Sequence, residues 1–114
     1  MKDDINKLLN GKCRVVSKKE DALNLSQVEQ LRDLTPDWQF CANDNVLSRV
    51  FHFDSYAETI IFVNSIAKIA EVQDHHPELL VTYKRCKICY KTHTVNGITM
   101  NDFICAAQID ALHK

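Results

Sequence analysis

The sequence has little glycine, little excess charge and no long apolar run, and each shortage excludes a class of protein. Among 114 residues there are two glycines, which leaves no glycine-rich phosphate loop, dinucleotide-binding fingerprint or nucleophile elbow. The formal net charge is -1 and the cations are scattered, unlike the basic patch of a nucleic-acid-binding protein. No apolar stretch approaches the roughly 20 residues of a membrane helix. Residues 1–5 also lack a secretory apolar core, so we expect an intracellular protein without direct contacts to nucleic acid or membrane.

The cysteines and the length indicate a single reduced domain. The five cysteines are an odd number, which favours free thiols over a disulfide framework. We therefore expect a cytoplasmic location, with the nucleus as a further one. No internal repeat or linker divides the chain, and its length is enough for one buried core. We assign residues 1–25 to a polar N-terminal extension with a short helix around Ile5 and Leu8, and residues 26–114 to the folded domain.

The hydrophobic periodicity predicts the order helix, strand, strand, helix, strand, strand, helix. The predicted elements are a short helix from Ser26, strands at 38–42 and 46–53, a long helix at 55–73, strands at 79–83 and 86–92, and a last helix after Thr99. Two hairpins joined by a helix indicate an α+β domain. We expect a four-stranded antiparallel sheet with helices packed on one face, in the order α-β-β-α-β-β-α.

Residue types also predict the caps, turns and buried faces of these elements. Ser26 begins a capping-box pattern, Asp54 is a natural N-cap for the long helix, and Thr99 with Asp102 caps the last helix. Gly97 is free to take a positive φ in the loop before that helix. The wide apolar face expected on the long helix consists of a stripe of Tyr56, Ile60, Val63, Ala67 and Ala70, flanked by Phe62, Ile66 and Ile69. The face expected on the last helix consists of Phe103, Ala107 and Asp110-Ala111.

The stretch His75-His76-Pro77-Glu78 is the most informative part of the chain. Two imidazoles stand directly before a proline, which fixes its own φ and favours an extended conformation at His76. A third imidazole, His93, ends a strand-like run. Glu71 precedes His75 by four residues, so a continued helix would place its carboxylate where it orients that imidazole and favours the protonated form. Histidine suits acid–base chemistry near neutrality because its ordinary pKa is about 6.5.

Several interpretations of these polar residues stay open. Asp102, in the first turn of the last helix, either belongs to the same polar group or only caps the helix. Three histidines can hold a catalytic zinc, although the adjacent His75 and His76 are awkward ligands for one ion, and we expect no metal ion and no cofactor. The segment from Cys86 to Cys89 has the CxxC pattern, but a strand would direct these two thiols to opposite faces, which predicts structural cysteines.

The ordered set of these motifs resembles the pterin-4a-carbinolamine dehydratases over about Ser26 to Leu112. The residues that carry the resemblance are Ala70-Glu71, His75-His76-Pro77-Glu78, Tyr83, Thr92-His93, Gly97-Ile98-Thr99, Asp102 and Ala106-Ala107. The resemblance implies a lyase that dehydrates 4a-hydroxytetrahydrobiopterin to quinonoid dihydropterin and water in the recycling of tetrahydrobiopterin, without a metal or redox cofactor.

The resemblance also implies roles for individual residues. By position, His75 and His93 match the acid–base pair of the family, without deciding which one gives the proton. The other matches are an orienting carboxylate at Glu71 and substrate-binding positions at His76, Pro77 and Asp102. Members form dimers or tetramers, so we expect a homodimer or homotetramer. Animal members also act as dimerisation cofactors of a homeodomain transcription factor, which makes a non-catalytic protein-binding module the alternative function.

Overall fold

Four helices and four strands make up the structure, a computed structural model that describes residues 2–113. The helices are α1 (Lys2–Leu9), α2 (Leu25–Arg32), α3 (Tyr56–Gln73) and α4 (Met100–Leu112), and the strands are β1 (Gln39–Cys41), β2 (Val46–His52), β3 (Glu78–Thr82) and β4 (Arg85–Tyr90). Short 3-10 turns lie at Lys19–Asp21 and His93–Val95. Met1 and Lys114, the outer ends of the two predicted regions, lie outside the described residues. The predicted α+β order is confirmed, and the short helix expected around Ile5 and Leu8 is present before it as α1.

The four strands form one antiparallel sheet in the order β1-β2-β4-β3. Side chains of Cys86, Ile88 and Tyr90 are fully buried, whereas the residues between them lie nearer to solvent. Because neighbouring side chains of a strand point to opposite faces, this alternation shows that one face of the sheet carries the core and the helices. The predicted parity of β4 is therefore confirmed, and its two CxxC thiols do point to opposite faces.

Helix α4 is the most enclosed element of the fold. All of residues 101–107 are buried, so this helix contacts protein around most of its circumference. The predicted inner face included Ala111, which is exposed. The largest fully buried side chains of the whole core are Trp38, Tyr90, Phe51, Phe103, Leu47, Ile66, Ile88 and Ile109. Full burial of an aliphatic or aromatic side chain of this kind contributes about 1.5–3 kcal/mol, so this cluster holds the sheet and α4 together.

The buried side of α3 includes Phe62, Ile66 and Ala70 of the predicted wide apolar face, but it is centred on the flanking residues rather than on the predicted stripe. The buried residues are Thr59, Phe62, Ile66, Ala70 and Gln73. Tyr56 and Ala67, which the stripe included, are exposed. Thr59 tolerates burial because its hydroxyl donates to backbone carbonyl oxygens at 2.9 and 3.0 Å. A polar residue with internal partners thus takes a place that hydrophobicity alone assigns to an apolar one.

Two helix caps lie one or two residues from their predicted places. Helix α2 begins after Asn24, not Ser26, and its capping box joins Asn24 and Gln27 through two hydrogen bonds of 2.9 Å. Helix α3 begins after Ser55 rather than Asp54. Both predictions were wrong because two neighbouring polar residues can cap a helix, and the backbone conformation decides between them.

The loop before α4 has the predicted cap but a different turn residue. The capping box between Thr99 and Asp102 is confirmed. The positive φ of this loop belongs to Asn96, at 50°, while no glycine among the described residues has a positive φ. Asparagine tolerates the left-handed region better than most residues, so Gly97 is not needed there. Gly97 instead bridges to Thr92 by backbone hydrogen bonds that close the loop.

The N-terminal segment is attached to α4. Leu8 of α1 is buried in the core cluster, and a Cβ added to Gly11 would lie 3.0 Å from the Ile104 side chain. The amide of Asn101 bonds the backbone of Arg14 in both directions, at 3.0 and 2.7 Å. The part of this segment from Leu8 to Arg14 therefore packs on the domain, and the boundary placed at residue 26 stays a prediction. Within the described part of the chain, no helix has the length and apolar character to cross a membrane.

Candidate active site

His75 lies immediately after the end of α3. The helix ends at Gln73, and Asp74 takes a left-handed conformation with φ of 50°. The N–H of His75 then donates to the carbonyl oxygen of Ala70 at 3.2 Å, a closing bond of the helix end. Because the chain has left the helix by this point, the expected pairing of Glu71 with His75 four residues later does not form.

The partner of His75 is Asp102, which lies 27 residues further along the chain. Nε2 of the imidazole is 2.6 Å from Oδ1 of the carboxylate. The Asp102 side chain has no exposed surface, and that of His75 is 13% exposed. The imidazole also stacks on the ring of Tyr90, with centroids 5.1 Å apart. A buried carboxylate on one side and an aromatic ring on another therefore fix the orientation of this histidine.

The second oxygen of Asp102 is held by α4 and by the residue before His93. Oδ2 accepts the N–H of Thr99 and the hydroxyl of Thr92, each at 2.9 Å. The Thr92 hydroxyl has one proton and gives it to the carboxylate, so the Thr99 hydroxyl donates to Thr92 across their 2.9 Å contact. All the hydrogen bonds that the Asp102 carboxylate accepts thus come from the protein interior, and the carboxylate has no exposed surface that could line the edge of a pocket.

The contact with Asp102 decides which nitrogen of His75 is free for chemistry. A carboxylate accepts hydrogen bonds, so Nε2 carries the proton. Nδ1 has no hydrogen-bond partner. In the described residues that are not exposed, every fully buried side-chain nitrogen or oxygen does have a partner, so Nδ1 is not fully buried. Nδ1 is therefore accessible to solvent. A neutral His75 offers a lone pair there, and a protonated His75 offers a proton.

Asp102 also shifts the pKa of His75. Burial alone lowers this pKa, but the hydrogen bond to Asp102 and its negative charge together outweigh burial, and the net effect raises the pKa above its ordinary value. The imidazolium is therefore populated more at neutral pH than in a free histidine. An imidazole can both accept and release a proton during turnover, and the raised pKa of His75 favours its protonated form.

The other predicted partners, His76 and Glu71, form a separate exposed pair. Nε2 of His76 lies 3.4 Å from Oε1 of Glu71, and their side chains are 57% and 79% exposed. Pro77 separates this pair from β3, which begins at Glu78. An exposed pair at this distance contributes little to stability, so these side chains are free to contact another molecule.

His93 begins the 3-10 turn His93–Val95 and is exposed. The strand prediction placed it at the end of β4, but that strand ends at Tyr90. Its neighbour Thr92 contacts the same carboxylate as His75, which places this turn beside the buried Asp102. Within residues 2–113, no hydrogen bond joins the His93 ring to His75 or His76. The convergence of all three imidazoles on one substrate therefore stays a prediction.

The larger clefts of the structure lie away from these histidines. One cleft of about 370 Å³ lies beside the first turn of α4 and the loop after α1, with Lys7, Lys12 and Arg14 on its wall. Another, of about 380 Å³, lies between α3 and the end of α4. His75 lines neither of these two clefts, and its contacts are with the buried Asp102 and Tyr90. No group of three or more potential metal ligands occurs among the described residues.

Sequence reasoning gave no site role to Tyr90 and Gln73 and named Thr92 only as part of the resemblance. In the structure Tyr90 stacks on the His75 ring, Thr92 bonds Asp102, and Gln73 lies two residues before His75. Thr92 and Tyr90 share the core-facing parity of β4, so a buried hydroxyl at Thr92 is the signal that an internal partner exists. Tyr90 donates its hydroxyl proton to the His75 carbonyl oxygen at 3.3 Å. Gln73 forms hydrogen bonds to Gly11 and Cys13 of the N-terminal segment. Nothing in the sequence around Gln73 indicates these contacts.

Comparisons with known proteins agree on one family. Residues 21–112 match the family model described as pterin 4 alpha carbinolamine dehydratase. A protein of Xylella fastidiosa (strain 9a5c), provisionally named pterin-4-alpha-carbinolamine dehydratase, is 40% identical over 112 residues, which are 98% of this chain and 97% of the relative. A protein of Legionella pneumophila (strain Corby) with the same name is 45% identical over 92 residues, 80% of this chain and 81% of the relative.

Two solved structures are similar in fold. The crystal structure of a transcriptional coactivator/pterin dehydratase from Brucella melitensis has a TM-score of 0.78 and 28% identity, and covers 82% of this chain and 99% of that one. A pterin dehydratase-like protein, described as a RuBisCO assembly factor in the alpha-carboxysome, has a TM-score of 0.59 and 26% identity, with 67% and 88% covered. With a family model that matches most of its length and relatives at 40–45% identity, the chain belongs to the pterin-4-alpha-carbinolamine dehydratase family.

Proposed function

We propose that the protein is a 4a-hydroxytetrahydrobiopterin dehydratase that works by histidine acid–base catalysis in the recycling of tetrahydrobiopterin. The observation that carries the proposal is the pair of His75 with the buried Asp102, in a chain of this family. The pair provides an imidazole that is rigidly oriented, has a raised pKa and has one accessible nitrogen.

The proposed reaction needs one proton donor and one proton acceptor. The C4a hydroxyl leaves as water when it receives a proton, and the N5 proton departs as the N5=C4a double bond forms. Atoms balance as one carbinolamine giving one quinonoid dihydropterin and one water, with no change of oxidation state. Groups with pKa values near neutrality suit both transfers and each typically contribute about 10² to 10⁴-fold.

We assign the two proton transfers to His75 and His93. Asp102 holds His75 through Nε2, which leaves Nδ1 for the substrate. His93 follows Thr92, whose hydroxyl binds the same carboxylate, so one buried group contacts both the His75 imidazole and the residue next to His93. Pro77, directly after the exposed pair, is proposed to limit the backbone freedom of the substrate-binding side.

The activity is tested directly with purified protein and a freshly generated 4a-hydroxytetrahydropterin. Ultraviolet absorbance follows the conversion to the quinonoid product, and the expected result is a rate that rises in proportion to protein concentration. A well-folded protein that leaves the uncatalysed rate unchanged contradicts the proposal and favours the binding-module alternative.

The alternative, a protein-binding module without turnover, has two observations in its favour. One similar structure is described as a transcriptional coactivator/pterin dehydratase, and the other as a RuBisCO assembly factor. The outer face of the sheet also exposes apolar side chains, among them Val50 and Leu80. Such side chains occur on many surfaces, so this alternative depends on an inactive protein in the assay above.

His76 is expected to act mainly on substrate binding. In His76→Ala we expect KM to rise about 10-fold while kcat changes little, because the exposed pair with Glu71 contacts substrate equally in the ground and transition states. Steady-state kinetics measure both constants. The matched control is His52→Ala, an exposed histidine on β2, which should leave both constants unchanged. A fall in kcat with unchanged KM would place His76 among the proton-transfer groups instead.

We also propose a homodimer or homotetramer. Strands β1 and β3 are the free edges of the sheet within the chain, and unpaired edge strands are commonly covered by a second subunit. Sedimentation at micromolar protein concentration is expected to give a mass of at least twice 13.1 kDa. A strict monomer under these conditions contradicts the expectation. A cytoplasmic location, with the nucleus as a further one, stays a prediction from the sequence.

A further inference from the structure

Two free thiols from distant parts of the chain are in contact beside the His75 site. Sγ of Cys13 lies 3.7 Å from Sγ of Cys105, although 92 residues separate them. Cys105 lies on α4 three residues after Asp102, so both side chains project from one face of the helix. Cys105 is buried, whereas Cys13 is partly exposed and lies in the segment without regular structure after α1.

Hydrogen bonds on both sides hold Cys13 against the domain. Its N–H donates to Oε1 of Gln73 at 2.8 Å, two residues before His75, and the adjacent Arg14 pairs with Asn101 of α4. The position of the thiol is thus set by the ends of α3 and α4 together. A disulfide needs a sulfur separation of about 2.05 Å, which a small shift of this loop segment or a change of rotamer can supply.

The two thiols differ in the way that thiol–disulfide exchange requires. The contact with Cys105 lowers the pKa of Cys13, and the nearby charge of His75 acts in the same direction. The same contact raises the pKa of Cys105. Since the thiolate is the nucleophile, the partly exposed Cys13 is the attacking group and the buried Cys105 is the resolving group.

We propose that Cys13 and Cys105 are a modification site at which a small-molecule disulfide, such as oxidised glutathione, introduces a reversible disulfide next to His75. The Cys13 thiolate attacks one sulfur of the reagent and releases one thiolate. The Cys105 sulfur then attacks the Cys13 sulfur and displaces the second thiolate, which takes up the proton that Cys105 gives off. Two protein thiols are oxidised and one reagent disulfide is reduced to two thiols, so atoms and electrons balance.

The proposed disulfide has two physical consequences. It replaces the ionisable Cys13 thiol, which lies close enough to influence the charge of His75, by a neutral group. It also joins the N-terminal segment covalently to α4 and closes a loop of most of the chain. A constraint of that length restricts the unfolded state, so the oxidised protein is expected to melt roughly 10 °C higher than the reduced one.

The experiment uses the full chain treated with excess oxidised glutathione, followed by alkylation of the remaining thiols and peptide mapping. We expect a monomeric product about 2 Da lighter before alkylation, in which Cys13 is linked to Cys105 and the other three of the five cysteines are alkylated. Dithiothreitol should restore five free thiols and the lower melting temperature. The ring signals of His75 in NMR spectra should move on oxidation, while those of the exposed His52 should not.

Two variants separate this dithiol from general thiol reactivity. In Cys105→Ala, Cys13 should stop as a stable mixed disulfide with glutathione because the resolving thiol is absent. Cys41→Ser removes an exposed cysteine of β1 and should still form the link. The proposal is overturned if oxidised wild-type monomer carries the alkyl label on both Cys13 and Cys105, or if the link forms only after denaturation. Neither readout requires dehydratase turnover, so the outcome is independent of the proposed function.

Discussion

Replacing His75 and His93 together by alanine is expected to lower kcat by at least about 10³-fold. Each general acid or base typically contributes about 10² to 10⁴-fold, and groups that act on one transition state are not additive. The double variant should therefore be only somewhat slower than the slower single variant. The dehydration assay measures kcat, and urea unfolding with circular dichroism shows whether the variants remain folded.

The control for this double variant is His52→Ala on β2. His52 is exposed, so this control makes the same chemical change without touching the proposed site. It should retain wild-type kcat. A folded His75→Ala/His93→Ala protein with wild-type turnover contradicts the acid–base assignment. A large loss in His75→Ala together with full activity in His93→Ala would instead leave His75 as the single proton-transfer group.

The sequence predicted the fold best where neighbouring residues decide the structure. The alternation of β4, with Cys86, Ile88 and Tyr90 buried, follows from the period of two of a strand. The capping box of Thr99 and Asp102 was also predicted correctly, because its two residues are only three positions apart in the sequence. The caps at Asn24 and Ser55 were missed because Ser26 and Asp54, one or two residues away, have side chains that can cap a helix equally well. Which of the two residues caps each helix depends on how that helix packs. The buried side of α3 depends on the same long-range packing.

The candidate site shows a sharper limit of sequence reasoning. The spacing of Glu71 and His75 suggested a pair, but the left-handed Asp74 ends the helix and breaks that spacing. The actual partner, Asp102, comes from another helix at a distance of 27 residues. A contact of this kind depends on how α3 and α4 pack, which no local pattern specifies. The resemblance to a family proposed a site role for Asp102, which stays a prediction, and it did not predict that the carboxylate is buried against His75.

Asp102→Asn is expected to lower kcat about 100-fold or more while the protein stays folded. In wild type, one oxygen accepts the hydroxyl of Thr92 and the N–H of Thr99, and the other faces Nε2 of His75. An asparagine has one acceptor oxygen, which the two donors require, so its NH₂ group must face Nε2. The ring then carries its proton on Nδ1, which is the wrong tautomer for a base at that nitrogen.

The same substitution is expected to reduce stability by about 1–3 kcal/mol, the range for a lost hydrogen bond to a charged group. The loss should depend on pH in a defined direction. Because the folded state raises the pKa of His75, its protonation stabilises the fold fully below the ordinary pKa of about 6.5. This stabilisation disappears as the pH rises through the raised value, above which folded and unfolded states are both deprotonated. The difference in free energy of unfolding between wild type and Asp102→Asn should therefore be larger at pH 6 than at pH 9.

Asp110→Asn is the matched control because it makes the same change on the same helix. The Asp110 carboxylate accepts hydrogen bonds from Trp38 and Arg49 at 2.7 and 2.6 Å, away from His75. This variant should lose a comparable amount of stability and keep its kcat. If both variants lose activity equally, then the loss reflects a loosened α4 and not the tautomer of His75. If Asp102→Asn alone is slow but its stability difference from wild type grows with pH, the carboxylate does not stabilise the imidazolium, and His75 must be oriented by Tyr90 and its backbone instead.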